Sequence, residues 1–216
     1  MLRAGAHARQ LQKWYDRLAP LADAARERLR GVDAAALARR SGCDLRAPDA
    51  LSISFMGHAY QVTLPGLIVS AEEGGAEPTP FAEALFLSYL DMADGAPPAG
   101  EWIAYHDLPG GMFYAQAFRG YAENRLARAC TLPAFCRAAR TLVGEPIEIG
   151  SAGYAWDVLP RVRLGAVYWE GDEDFPSQAS VLFDRAATHY LTTDGLAVLG
   201  SRLVDALVRE SEKHTP

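Results

Sequence analysis

The sequence lacks both a long apolar run and a cysteine framework. No apolar stretch approaches the roughly 18 residues of a transmembrane helix, and the opening MLRAGAHARQLQKW has no apolar core of a secretory signal. We therefore expect a cytoplasmic protein that does not enter a membrane. The three cysteines, Cys43, Cys130 and Cys136, are an odd number without C-x-x-C spacing. We interpret them as buried or unreactive thiols rather than as disulfides or as zinc or iron–sulfur ligands.

Positive charge is also scarce, and so are the common catalytic motifs. The formal net charge is -6 at pH 7, which argues against general nucleic-acid binding, because phosphate affinity comes mainly from lysine and arginine. The chain has no phosphate-binding glycine loop, no G-x-S-x-G and no H-E-x-x-H. These absences lower the expectation of a standard hydrolase, nucleotide-binding enzyme or zinc protease, and no motif fixes a reaction.

The length and the hydrophobic patterns predict a single α+β unit. A chain of 216 residues with 50% apolar residues can bury a full core. Short turns between neighbouring strands favour antiparallel pairing. We expect a mostly antiparallel sheet of about five or six strands, with helices on one face and at the ends. Residues 1–45 read as an N-terminal helical segment and residues 46–216 as the main domain.

Several elements have local start and stop signals. Helical spacing of apolar residues predicts a helix over about 10–30. Alternating residues predict a hairpin from Leu51 to Leu64 that turns at Gly57. Further helices are predicted by capping residues, and they follow Asp33, Thr79, Thr131 and Thr192 or Thr193.

The stretch from Val162 to Leu191 contains two apolar runs that predict a buried strand pair. The acidic loop between the runs carries Glu170, Asp172, Glu173 and Asp174, with Trp169 and Phe175 on either side. Carboxylates at this density suit a hard cation such as Ca²⁺ or Mg²⁺, although an acidic hairpin tip is also commonly just solvated. The two aromatic residues either form the wall of a ligand site or pack into the core.

Asp184 ends the second apolar run, immediately before a helical turn that contains His189 and Tyr190. A carboxylate at this place commonly caps the next turn by accepting backbone N–H bonds. Across a ligand site it would instead act as a general base. His189 is either a hydrogen-bonded structural residue or a ligand.

The Pro109–Gly111 segment predicts a tight turn, or a place where backbone approaches a ligand closely. His106 lies just before it and Met112 just after it, and Gly110 and Gly111 occupy the turn. His106 is the histidine nearest to a loop that suits a ligand.

Four segments together resemble an uncharacterised bacterial and archaeal domain-of-unknown-function family that is common in anaerobes. The segments are HDLPGGMFYAQAFRG, PRVRLGAVYWEGDEDFP, ASVLFD and HYLTTDGLAVLG. The resemblance covers the chain from about Asp33 onward. The extra acidic residue Asp174, and Thr192 where the family tends to have proline, depart from the family pattern.

Some members of that family resemble fusions with an iron–sulfur module, which this chain lacks. The resemblance therefore implies work near a corrinoid, another tetrapyrrole such as haem, or a redox or methyl-transfer partner protein. On this hypothesis a cofactor-binding accessory protein uses His106 or His189 as an axial ligand, and Gly110 and Gly111 give the space for close approach. Apolar contacts would come from Trp169, Phe175, Tyr190 and Met112. The alternatives are a metal-assisted hydrolase or transferase that uses Asp172, Glu173 and Asp184, and a protein-interaction module.

Overall fold

A computed structural model describes residues 20, 22–72 and 75–213. The predicted α+β class and the antiparallel pairing are confirmed. The chain forms two compact units. The first comprises Met1–Pro97, Val158–Val162 and His189–Gly195, and the second comprises Pro98–Asp157, Arg163–Thr188 and Leu196–Pro216.

The first unit contains a four-stranded antiparallel sheet in which the strands follow one another in chain order. The strands are β1 (Asp44–Ala47), β2 (Ala50–Phe55), β3 (His58–Thr63) and β4 (Ile68–Ala71). The predicted hairpin is β2 and β3, joined at Met56 and Gly57. Both of these residues have positive φ angles, 48° and 82°, as a two-residue hairpin turn of the I′ type requires.

The first unit contains the helices α1 (residues 22–29), α2 (Ala34–Ser41) and α3 (Pro80–Met92). Helices α2 and α3 follow their predicted caps. Asp33 accepts a hydrogen bond from the Ala36 amide, and Thr79 accepts one from the Ala82 amide. The predicted helix over 10–30 lies mostly outside the described residues.

Arg161 of the Pro-Arg-Val motif is a structural residue of the first unit. Its guanidinium donates to the carbonyl oxygens of Ala96 at 3.4 Å and of Arg39 at 3.5 Å. Its amide donates to the Tyr89 hydroxyl at 3.1 Å, and that hydroxyl donates in turn to the Ser41 carbonyl. The motif thus links the end of α2 to the segment that follows α3.

The second unit contains the predicted central strand pair at the middle of a five-stranded antiparallel sheet. Its strands are β5 (Trp102–Ala104), β6 (Glu145–Ile147), β7 (Ala152–Leu159), β8 (Val162–Trp169) and β9 (Gln178–Asp184). Their order across the sheet is β5-β9-β8-β7-β6. The register of β8 on β9 runs from Leu164 opposite Phe183 to Trp169 opposite Gln178. The sequence predicted this pair, but not the division of the strands between two sheets.

The stretch from Met112 to Cys130 is helical almost throughout. It passes through a 3₁₀ turn (Gly111–Tyr114), α4 (Ala115–Phe118), a π-helical segment (Arg119–Glu123) and α5 (Asn124–Ala129). The ring of Phe118 stacks on Tyr105 with centroids 4.2 Å apart and also contacts Phe183 of β9. These contacts anchor the irregular helix on the sheet.

Two further helices complete the described chain, α6 (Leu132–Thr141) and α7 (Thr193–Glu212), together with a 3₁₀ turn over Arg185–His189. The predicted Thr131 cap of α6 is confirmed, since its hydroxyl accepts from the Ala134 amide. Over the described part of the chain, no helix is both long enough and apolar enough to cross a membrane.

Candidate functional site

The acidic loop between β8 and β9 is a self-contained surface turn. One oxygen of Asp172 accepts from the Asp174 and Phe175 amides at 2.9 and 2.8 Å, and the Asp172 amide donates to the Phe175 carbonyl at 2.9 Å. These bonds hold the pKa of Asp172 below its ordinary value. Glu170, Glu173 and Asp174 are exposed. Trp169 and Phe175 are also exposed, by 38% and 68%, so neither ring is part of the core.

Asp184 is a buried cap, as one of the two readings of the sequence predicted. It is 3% exposed, and its carboxylate accepts from the Ala186 amide at 2.8 Å. It also accepts from the amides of Ala99 and Gly100, at 2.9 and 2.7 Å. Both oxygens are therefore used by the backbone, which explains how this charge is buried at the end of β9.

The acids do not form a metal site in the described structure. No group of three or more histidine, cysteine, aspartate or glutamate side chains lies close enough together there to hold an ion. A metal-assisted reaction requires Asp172, Glu173 and Asp184 to converge. Asp172 bonds within its own loop, and Asp184 bonds to three amides. That alternative therefore lacks its geometric basis.

His189 and Tyr190 belong to the first unit, whereas the other predicted site residues belong to the second. His189 Nδ1 lies 2.6 Å from the Asp94 carboxylate, and this hydrogen bond lowers the pKa of Asp94. Tyr190 is fully buried. Its hydroxyl donates to the Ala96 carbonyl, and its ring stacks on Tyr89 at 5.5 Å. Both side chains already have local partners.

The Pro109–Gly111 segment is a tight turn held by consecutive backbone hydrogen bonds. The Leu108 amide donates to the Tyr105 carbonyl, and the Gly111 amide donates to the Leu108 carbonyl at 2.8 Å. Gly110 has a φ of 73°, which glycine adopts without strain. A Cβ on Gly111 would lie 2.0 Å from the Tyr105 carbonyl oxygen. Both glycines are therefore needed for this shape.

The turn projects large apolar side chains into solvent. Met112 is 70% exposed and Phe113 is 89% exposed, and both lie on the 3₁₀ turn that Gly111 begins. Tyr114 is exposed as well. Side chains of this size are usually buried. Exposed apolar side chains on neighbouring positions are typical of surfaces that contact a ligand or a partner.

His106 lies on the 3₁₀ turn Tyr105–Asp107, just before these residues. Its side chain is about half exposed, and its Nε2 lies 3.4 Å from an oxygen of Asp107. The other Asp107 oxygen accepts from the Ala104 amide at 3.1 Å, which fixes the carboxylate. The contact between His106 and Asp107 is an ion-pair distance and not a hydrogen bond. In the described structure, Nδ1 makes no hydrogen bond.

Glu123 is a buried acid that the sequence did not single out. It is 9% exposed and ends the π-helical segment. Its Oε1 accepts from the Val181 amide at 3.2 Å, and its Oε2 lies 3.7 Å from the Arg119 guanidinium. Burial raises the pKa of Glu123, while the positive charges of Arg119 and His106 act in the opposite direction.

A sequence signal for Glu123 did exist. Phe118, Ala122 and Leu126 mark the buried face of this helix, and Glu123 directly follows Ala122. A π-helical turn shifts the face of a helix and is frequent at functional sites. An acid directly beside an apolar stripe is a candidate for a perturbed pKa.

His106, Glu123 and the exposed turn are the candidate functional residues of the second unit. The imidazole offers an electron pair, the buried carboxyl can hold or release a proton, and Met112 and Phe113 offer apolar contact. The fold defines the chain as an α+β protein with two antiparallel sheets. The chain belongs to the family described as "Domain of unknown function (DUF3786)", whose model matches residues 33–206. No curated protein and no solved structure matches the chain.

Proposed function

We propose that the protein is a cytoplasmic accessory protein that binds a corrinoid or other tetrapyrrole cofactor at residues 106–114. His106 supplies the axial ligand to the metal of the cofactor, and Met112 and Phe113 contact its apolar surface. The observation that carries the proposal is the pairing of an available His106 Nδ1 with two highly exposed apolar side chains on one ordered turn. The second unit also exposes Trp169 and Phe175, which the sequence predicted to form part of the apolar wall.

The chemistry of the segment fits this class of ligand. Histidine is a common axial ligand of haem iron, and methionine is another. Met112 brings a soft thioether and Phe113 an aromatic face, both of which suit the flat apolar surface of a macrocycle. Asp107 beside His106 strengthens the imidazole as a ligand. The Gly110–Gly111 turn leaves space for close approach of a large ring.

An absorption titration tests the proposal. Protein purified without oxygen is mixed with haemin and, separately, with cobinamide, a corrinoid that lacks its own nucleotide base. We expect a saturable change in the visible spectrum with at least one of them. The His106→Ala variant should change the ligation bands, and Phe113→Ala should weaken binding about tenfold, because a buried aromatic contact contributes on the order of 1.5 kcal/mol.

His58→Ala is the matched control, because His58 is an exposed histidine on β3 of the other unit. It should bind like the wild type. No spectral change with either compound, under both reducing and oxidising conditions, would overturn the proposal. Equal loss of binding in the two histidine variants would also contradict a specific role for His106.

A second candidate function rests on Phe113. A side chain that is 89% exposed is a typical anchor for a protein partner. In this case the chain docks a redox or methyl-transfer enzyme through the exposed turn, and the acidic loop steers the encounter. Recovery of one partner by the wild type but not by Phe113→Ala, with no cofactor binding by either, would favour this function over the first.

A further inference from the structure

Helices α5, α6 and α7 pack on one face of the five-stranded sheet. The ring of Phe135 on α6 stacks on Tyr168 of β8 with centroids 5.5 Å apart. The Tyr168 hydroxyl donates to the carbonyl of Cys130, at the end of α5, at 2.7 Å. A Cβ on Gly200 of α7 would lie 3.2 Å from Val181 of β9. The register of β8 on β9 puts Tyr168 and Val181 on the same face.

The opposite face carries apolar side chains that converge over Gly165 of β8. A Cβ on Gly165 would lie 3.4 Å from Leu182, 3.5 Å from Ile147 and 3.5 Å from Trp102. These side chains come from β9, β6 and β5, and all three are partly exposed. Trp169, four residues further along β8, points to the same side of the sheet and is 38% exposed. We call these five residues the open face.

Acidic side chains lie at both ends of the open face. Over residues 145–184 the sequence has eight acids and two arginines. Arg161 bonds to carbonyl oxygens of the first unit. Arg163 on β8 pairs with both Glu145 and Asp157, which remain largely exposed. The acidic loop begins where β8 ends. Both ends of the open face therefore have an excess of negative charge.

We propose that the open face binds a cationic amphipathic segment of a partner protein. The apolar side chains of that segment pack on Trp102, Ile147 and Leu182, and its lysine or arginine side chains lie against the acids at the two ends. Trp169, next to the acidic loop, offers its indole ring to a cation. Charge complementarity selects this partner, because an acidic segment would be repelled at both ends. The proposal does not depend on a cofactor at residues 106–114.

Three synthetic peptides of about ten residues, the upper range of strand lengths, test the partner chemistry. One alternates leucine with lysine, the second leucine with glutamate, and the third serine with lysine. Fluorescence anisotropy of the labelled peptides measures their binding to the full chain. We expect the leucine–lysine peptide to bind at least about tenfold more tightly than the other two, and to weaken as salt is added. Equal affinity for the leucine–lysine and leucine–glutamate peptides would overturn the proposal.

Variants of the protein test the surface. Trp102→Ala should weaken binding of the leucine–lysine peptide about tenfold, because large aromatic residues dominate such contacts. Phe113→Ala, on the exposed turn, is the matched control and should keep the affinity. Glu170→Gln combined with Glu173→Gln removes two exposed charges from the acidic loop. This double variant should lose about threefold in affinity and reduce the salt dependence, whatever Trp102→Ala does to the sheet.

Amide NMR of the wild-type complex locates the contact. The leucine–lysine peptide should shift the signals of Gly165, Leu182 and the Trp102 indole, and leave those of residues 111–114 in place. Shifts confined to residues 111–114, or a loss of affinity in Phe113→Ala but not in Trp102→Ala, would assign the peptide to the exposed turn and overturn the proposal. No binding of this peptide at about 1 mM, an interaction weaker than about 4 kcal/mol, would overturn it as well.

Discussion

At the level of single side chains, Asp184 shows how one carboxylate fixes two stretches of backbone. It accepts hydrogen bonds from the amides of Ala99, Gly100 and Ala186. Because Asp184 is buried, water does not replace its carboxylate as the acceptor for these amides. The sequence could predict the bond to Ala186, because a cap acts over two or three residues. It could not predict the bonds to Ala99 and Gly100, because no local pattern shows that a segment about 85 residues away returns to the same place.

We expect Asp184→Ala to lower the free energy of unfolding by about 3 kcal/mol, since buried donors that lose a charged acceptor are costly. Asp184→Asn, which keeps an acceptor oxygen, should have an intermediate effect. Asp174→Ala is the control, because its side chain is exposed in the acidic loop, and it should change stability by less than about 0.5 kcal/mol. Urea unfolding measures all three variants. A similar loss in Asp184→Ala and Asp174→Ala would show that the three bonds do not stabilise the fold.

The raised pKa of Glu123 predicts how the free energy of unfolding changes with pH. Its pKa in the folded protein lies above the ordinary value of 4.5 because the side chain is buried. The stability that comes from this shift is fully present below that value and is lost as pH rises through the folded pKa. Relative to Glu123→Gln, which does not titrate, the wild type should therefore lose free energy of unfolding as pH rises above 4.5, and then reach a plateau. Urea unfolding of both proteins over a pH series measures the difference. A wild type that gains stability relative to Glu123→Gln as pH rises above 4.5 would contradict the burial of this carboxyl.

At the level of elements, local chemistry determined what could be predicted. The β2–β3 hairpin, the capped helices α2, α3 and α6, and the β8–β9 pair all carry strong turn, cap or periodicity signals. Strands β1 and β6 were missed because they have only four and three residues and are mostly exposed. The π-helical segment was missed because an extra residue in the turn breaks the 3.6-residue period on which helix prediction depends.

The adjacent glycines of the exposed turn, Gly110 and Gly111, provide one substitution and its matched control. In Gly111→Ala the new methyl group would meet the Tyr105 carbonyl oxygen, a backbone atom that cannot rotate away. We expect a loss of about 3 kcal/mol in the free energy of unfolding, together with weaker haemin or cobinamide binding. In Gly110→Ala no atom lies within 4 Å of the new group, so only the left-handed backbone costs free energy, about 1 kcal/mol. Urea unfolding compares the two variants. Equal effects would show that close packing of Gly111 does not shape the turn.

At the level of the whole molecule, the sequence predicted the class but not the arrangement. Alternating apolar residues indicate that a segment is a strand, but they do not show which other strand it pairs with. This is why nine described strands in two sheets were expected as one sheet of five or six. The candidate site depends on the same missing information. The Glu123 carboxylate accepts from the Val181 amide across 58 residues of sequence, and no local pattern predicts such a contact.

The central claim is that His106 ligates the metal of a cofactor held at residues 106–114. Electron paramagnetic resonance of cob(II)inamide tests it most directly, because this corrinoid brings no axial nitrogen of its own. We predict that the cobalt lines of the wild-type complex are split by one nitrogen nucleus, that His58→Ala keeps the splitting, and that His106→Ala loses it. A bound corrinoid whose spectrum is the same in the wild type and in His106→Ala would contradict the claim.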